Sequence, residues 1–440
     1  ANGIYNVVDT IFVGRIGTEA IGAVSVVFPF FMLIGAVGLA VGIGSGSFIS
    51  RLLGMGRKEM AERTAMTGAI TVIVVGGALM LVGQYWLEDL LRLFGATETI
   101  LPYAMEYARV LLLGAPIIML KMTLNNILRA EGSVKASMTA LLLGALLNIV
   151  FDPIFIFTFN LGVAGAAMAT VLAQAIALVY QFWYYGSGRS YLKLTWVGFR
   201  PSREIFVQMI KIGTPIFFTQ FLNSAAMALI NSAAAPYGDS AVAAMGIVKR
   251  VMSLALFAIL GFGQGFQPLA GFNYGARNFT RLRQAMHFAL VVTTAFTISA
   301  TVVFVFFAET VIHWFSSDPD VLAIGCRALR VLAVPFPLLG FQVVYFSLFQ
   351  ALGKALPAAL LSFARQGLLL IPLILYLPTV YGLNGVIAAQ PAADGLATAI
   401  TIGLAVFVNG QLRREADSLV TKTTSMVGSG SLSTVSEDSK

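Results

Sequence analysis

The chain has 440 residues, 58% hydrophobic and 11% charged, with a formal net charge of +8 and a mean hydropathy of +0.86. A soluble domain covers its surface with about a quarter charged residues, so most of this surface must face lipid. The bases are scattered through short loops, which argues against a nucleic-acid face; the single Cys326 excludes an internal disulfide framework.

Twelve apolar segments of spanning character follow one another: about 1–16, 20–50, 65–87, 100–123, 136–158, 162–186, 205–236, 240–270, 284–314, 321–349, 356–379 and 383–410. No period-2 alternation is present, so an all-α polytopic membrane bundle is the fold expected. The first segment is shorter than the roughly 20 residues a spanning helix needs and is expected to be truncated, its cytoplasmic half missing. It carries Asn6 and Asp9.

The second segment holds "GAVGLAVGIGSGS" (35–47), a density of small residues that serves close helix packing or sliding during gating. The fifth holds "NIVFDPIFIF" (148–157). A charged Asp at a helix centre costs about 2.5–3.5 kcal/mol on insertion scales, so Asp152 is either a structural hydrogen-bonding group or a functional one. Asn148 lies one turn before it on the same face. Pro153 follows and leaves the Ile149 carbonyl without a helical partner, a point where the helix can bend. In the sixth segment Ala166 and Thr170 are also one turn apart. Carboxylates, an amide oxygen, a hydroxyl and a free carbonyl are hard-oxygen ligands, suited to Na⁺ rather than zinc or copper. Two close carboxylates suit a proton equally well.

A connector at 188–204 separates this N-lobe (1–187) from a C-lobe (205–411). In the second half Asn223, Asn231, Gln264, Gln267, Gln342, Gln366 and Asp394 are candidates to line a cavity, with Asp394 open between helix packing and substrate contact. Lys249, Arg250, Arg327 and Arg330 sit near helix ends, where snorkelling explains them, an anionic ligand being the alternative. Abundant Phe and Met suit flat organic cations wherever they line a cleft. Residues 412–440 are Ser/Thr/Gly-rich and read as a disordered tail.

The halves repeat. "GTEAIGAV" (17–24) resembles "GDSAVAAM" (238–245), and "ILRAEGSVKA" (127–136) resembles "LFQALGKALP" (348–357), both 221 residues on; "LGVAG" (161–165) resembles "YGLNG" (381–385). Two six-helix lobes of the same orientation follow, with substrate sites near the midplane. Lys and Arg concentrate on one side (Arg51, Arg57, Lys58, Arg129, Lys135, Arg189, Arg200, Arg277, Arg413) and acids on the other (Glu88, Glu98, Asp239, Asp318). The basic side, with both termini, is expected to be cytoplasmic.

"YNVVDTIFVGRIG" (5–17), "NNILRAEG" (125–132), "NIVFDPIFIF" (148–157) and "GVAGAAMAT" (162–170) resemble the multidrug and toxic compound extrusion family. The resemblance implies a V-shaped, twelve-helix antiporter in the cell membrane, contributing to xenobiotic export and antibiotic resistance. It would expel cationic or amphipathic organic compounds in exchange for Na⁺ or H⁺, as a monomer, with no enzymatic activity and no cofactor. It further implies a coupling-cation site at Asp9, Asn148, Asp152, Thr170 and the Ala166 carbonyl. A lipid-linked flippase of the same superfamily is the alternative; it would need several Arg and Lys in its cavity. An ion channel is a third reading, disfavoured by the two-lobe repeat.

Overall fold

A computed structural model describes residues 12–13, 15–195 and 199–432, with the side chains of Thr18, Asp239 and 420–432 left aside. Among the described residues there is no strand. The helices are α1 (Thr18–Gly54), α2 (Lys58–Tyr85), α3 (Leu87–Leu93), α4 (Leu101–Leu113), α5 (Ala115–Ala130), α6 (Val134–Pro153) and α7 (Gly162–Gly186) in the first half. In the second half they are α8 (Arg203–Ala234), α9 (Asp239–Gly275), α10 (Phe279–Phe306), α11 (Ala308–His313), α12 (Pro319–Ala333), α13 (Phe336–Ala351), α14 (Ala355–Phe363), α15 (Ile371–Tyr381) and α16 (Leu383–Leu432). A π-turn, Ile154–Thr158, prolongs α6, and another, Ala364–Leu370, joins α14 to α15.

Among the described residues nine spans are long and apolar enough to cross a bilayer, or eleven when the two bent pairs each count as one. These match segments two to twelve of the sequence reading, each described helix satisfying its backbone within itself as lipid requires. The expected first segment lies almost wholly outside the described residues. The bent pairs, α4–α5 and α12–α13, each turn by 49°. Their breaks fall at Gly114 and Pro335, the same 221-residue offset as the repeated motifs. The repeat is therefore one of three-dimensional shape as well as of sequence.

The outer surfaces are apolar: Phe288 and Phe306 of α10 are 64% and 76% exposed, as lipid-facing side chains must be. The spans Glu19–Gly54 and Ser240–Gly275, 36 residues each, are longer than a hydrocarbon layer needs. α16 departs from expectation. It continues as helix through Leu432, where a disordered tail is expected from residue 412. Beyond Pro391 no proline interrupts it, and Lys354 ties its side to the neighbouring loop through Gln411 Oε1 at 2.9 Å and Glu415 Oε1 at 3.9 Å.

The lobes meet along α1. Gly44 lies so close to α8 that a Cβ would sit 2.4 Å from the Met209 carbonyl oxygen, and Gly213 of α8 answers against Ala40. The contact continues to α9 near the basic end. There Arg51 is buried; its guanidinium donates to the Gln208 side chain at 3.1 Å and to the Leu352 carbonyl at 3.4 Å, while the Ser47 hydroxyl donates to the Gln350 carbonyl.

The connector is strapped to the first lobe at the same end. Glu131 Oε2 accepts from Ser190 Oγ at 2.7 Å and from the Leu192 N–H at 3.0 Å, and Leu192 is fully buried. Glu62 accepts from the Lys193 N–H at 3.1 Å.

Candidate functional site

The turn between α6 and α7 sets up the site. Pro153 cannot donate to the Ile149 carbonyl, and the helix widens into the π-turn Ile154–Thr158 immediately after it. Such turns concentrate at functional positions. The chain reverses through Asn160 and Gly162, both at positive φ, and α7 returns against the widened turn. Gly165 makes this approach possible: a Cβ there would lie 2.6 Å from the Phe155 carbonyl oxygen. Ala166 follows directly, and one turn beyond it Thr170 faces α6.

Three of the expected residues come together as a result. Asn148 Nδ2 donates to Asp152 Oδ1 at 3.0 Å, along its own helix, and to Thr170 Oγ1 at 3.2 Å, across to the next. Asn148 and Asp152 are wholly buried, as is Ala166, and Thr170 is nearly so. The Asn148 side-chain oxygen, Oδ1, has no hydrogen-bond partner among the described residues. A buried acceptor left without a donor costs about 1–3 kcal/mol, and a cation would satisfy it. The set of one carboxylate, one amide oxygen and one hydroxyl fits a small hard cation or a proton. Asp9, the expected second carboxylate, lies outside the described residues. Among those described, no three His, Cys, Asp or Glu side chains group as a metal cluster, so the oxygens of Asn148 and Thr170 matter to any Na⁺ reading.

The expected cavity-lining residues do not converge on one wall. Gln264 and Gln267 sit where the lobes meet, in a narrow polar gap with Gly42, Ser47, Asn126 and Arg129. Arg129 of α5 donates to Gln264 Oε1 at 2.6 Å, joining the lobes. Gln342 and Asp394 lie inside the second lobe. There Gln342 Nε2 donates to Thr398 Oγ1 at 2.7 Å and to the Asp394 carbonyl at 2.9 Å. Asn223 is exposed on α8.

The buried and half-buried cations packed between helices are what the sequence reading passed over. Arg51 and Arg129 read as loop bases, yet both point between the lobes. Arg365, not singled out, forms an ion pair with Asp394 at 2.7 Å. Lys249 read as a snorkelling residue; it turns inward and donates to Gln390 Oε1 at 3.2 Å. Arg250, Arg327 and Arg330 are exposed as expected. The signal for Arg365 was its place in an apolar run, a charge as anomalous there as Asp152.

A family model described as MatE matches residues 2–154 and 215–375. The chain belongs to the MatE family. Within it, the multidrug export protein MepA of Staphylococcus haemolyticus is 27% identical over 419 residues, covering 95% of this chain and 92% of that protein. A FAD transporter of Shewanella oneidensis is 27% identical over 394 residues, covering 89% and 87%. Among solved structures, a multidrug resistance MATE family transporter in an outward-facing conformation superposes with a TM-score of 0.89 at 30% identity, covering 94% of this chain and 93% of that one. The resemblance read from the motifs and the two-lobe, twelve-helix MatE architecture are borne out. In that architecture the Asn148–Asp152–Thr170 cluster belongs to the first lobe and the Arg365–Asp394 pair to the second.

Proposed function

We propose that this MatE protein is a secondary active efflux antiporter of the cell membrane, expelling amphipathic organic compounds, cationic ones among them, against entry of Na⁺ or H⁺. Membership of a family with multidrug export relatives supports the direction of transport. The single observation that carries the coupling is the fully buried bridge from Asp152 through Asn148 to Thr170. A coupling ion must bind with different strength in two conformations. A desolvated carboxylate supplies that difference, because its charged form is tolerated only with a cation, a proton or donors beside it.

The lobes touch closely at the basic end, which the distribution of Lys and Arg assigns to the cytoplasm. This fits a state open to the outside, ready to release a compound and take up the ion. Ion or proton binding at Asp152 would alter the donor pattern at the foot of the π-turn, where Pro153 already weakens the helix. Rocking of the lobes about α1 would then re-open the cytoplasmic side.

Efflux of ethidium from cells or proteoliposomes under an imposed Na⁺ or pH gradient tests this. Transport should follow one of the two gradients and vanish in Asp152→Asn at normal membrane abundance. Undiminished gradient-driven transport by Asp152→Asn overturns the reading.

A further inference from the structure

The second lobe holds a half-buried charge cluster of the opposite sign. Arg365 stands on the π-turn Ala364–Leu370, and its Nε donates to Asp394 Oδ1 at 2.7 Å. Gln390 bridges: its Nε2 donates to the same Asp394 oxygen at 3.0 Å, and its Oε1 accepts from Lys249 Nζ at 3.2 Å. Gln342 and Thr398 fix the backbone of Asp394 from beneath. Lys249, Arg365 and Asp394 thus carry two positive charges and one negative one. Lys249 forms no ion pair among the described residues.

The cluster lies well inside the helix ends. Lys249 is nine residues into the span Ser240–Gly275 and Asp394 eleven into Leu383–Leu419, about 14 and 16 Å at 1.5 Å per residue. Neither cation reaches for the surface: Lys249 Nζ turns inward to Gln390, and Arg365 Nε turns inward to Asp394. A neutral Arg365–Asp394 pair would suffice for packing. The extra charge of Lys249 would be a liability in lipid unless an anion visits it.

Access has the right order for such a visit. The Arg365 side chain is 23% exposed and that of Asp394 only 6%, so the guanidinium stands in front and the carboxylate behind. Arg365 spends only Nε on Asp394; its two terminal nitrogens make no hydrogen bond among the described residues. A guanidinium presenting that edge matches the two oxygens of a carboxylate or phosphate.

We propose that Lys249 and Arg365, braced by Asp394 and Gln390, form a binding site for the oxyanion group, carboxylate or phosphate, of a transported solute. The two lobes then differ in polarity: the first takes the coupling cation, the second the acidic group of an amphipathic or zwitterionic compound. This rests on the efflux reading for its physiological sense but is tested by binding alone, so a failure of gradient-driven transport leaves its test intact.

The probes are norfloxacin and its methyl ester, which differ in the carboxylate. Binding is measured on the purified full chain in an uncharged, phospholipid-free detergent. The wild type should prefer the acid, and Lys249→Gln should weaken norfloxacin about tenfold, the scale of one charge-assisted hydrogen bond, while ester binding is unchanged. The unchanged ester also reports an intact fold. Because Arg365→Gln alone would strand the Asp394 charge, the neutral pair Arg365→Gln with Asp394→Asn serves as the second variant, with the same selective loss expected. Equal binding of acid and ester by the wild type, or an equal loss for both probes in Lys249→Gln, overturns the proposal. Displacement of norfloxacin by phosphatidylglycerol at the same residues would make the site a lipid-headgroup site and overturn the solute reading.

Discussion

Gly54 and Gly275 are counterparts across the two lobes. A Cβ on Gly54 would lie 2.1 Å from the Phe272 carbonyl oxygen, and a Cβ on Gly275 would lie 2.1 Å from the Arg51 carbonyl oxygen. The glycines are separated by the repeat offset, and so are the two carbonyls they meet. The basic ends of α1 and α9 therefore cross backbone to backbone in a contact whose two halves repeat each other. Arg51, whose carbonyl is part of it, sends its side chain to Gln208 and Leu352 of the other lobe.

That contact predicts a conformational phenotype. Gly54→Ala and Gly275→Ala each put a methyl group where only hydrogen fits, and the opposing backbone cannot yield cheaply. Spin labels placed at the exposed positions Arg57 and Arg277 should report a longer or broader distance in either variant than in the wild type. An unchanged distance distribution would show that this crossing does not hold the basic ends together.

For the first-lobe site, Asp152→Asn, Asp9→Asn and the double variant should all reach the membrane and lose gradient-driven efflux to a similar degree. Groups that act as one unit are non-additive. Thr170→Ala and Asn148→Ala should weaken Na⁺ dependence if Na⁺ is the coupling ion and matter less if it is H⁺. Partial single losses that simply add would separate Asp9 from Asp152.

Gly165 tests the architecture of the site without touching its polar atoms. Gly165→Val would drive α7 away from the Phe155 carbonyl, costing about 1–3 kcal/mol as overpacking does. Melting of the purified protein should fall by several degrees, and efflux should fall with it because Thr170 moves away from Asn148. A variant as stable and active as the wild type would mean that the π-turn tolerates displacement.

Glu131 gives a pH prediction. Burial holds its carboxyl above the usual value, outweighing the hydrogen bonds from Ser190 and Leu192 that favour the charged form. The sign follows: a carboxyl raised in the folded state contributes stability in full below its unfolded value of 4.5 and loses it as pH rises through the folded value. Glu131→Gln keeps an acceptor oxygen for the connector without the charge. Its melting temperature relative to the wild type should therefore climb as pH rises above 4.5; a flat difference would remove the buried charge as the cause.

Orientation is open to direct labelling. In a Cys326→Ser background, a cysteine at Lys58 should be shielded from an impermeant thiol reagent in intact cells, and one at Asp318 should react. Labelling at Lys58 without lysis would invert the protein.

Hydropathy and spacing alone determined the spans, because a chain in lipid must close its hydrogen bonds within each helix. The 221-residue repeat was readable for the same reason: glycines and prolines at bends are demanded locally, and the 49° breaks near Gly114 and Pro335 obey that demand. Asn148 and Asp152 could be paired from sequence since i and i+4 share a face, and the neighbouring segment supplied Thr170 across a short turn. What the sequence left undecided is the direction in which long side chains point. Lys249 is about as close to a helix end as Arg250, yet one turns to Gln390 and the other stays exposed. Arg365 meets an acid 29 residues away because a π-turn carries it there. Such outcomes depend on the rotation of each helix about its axis, and that rotation is set by close backbone packing between helices far apart in the chain, as at Gly54 and Gly275, which only the tertiary structure decides.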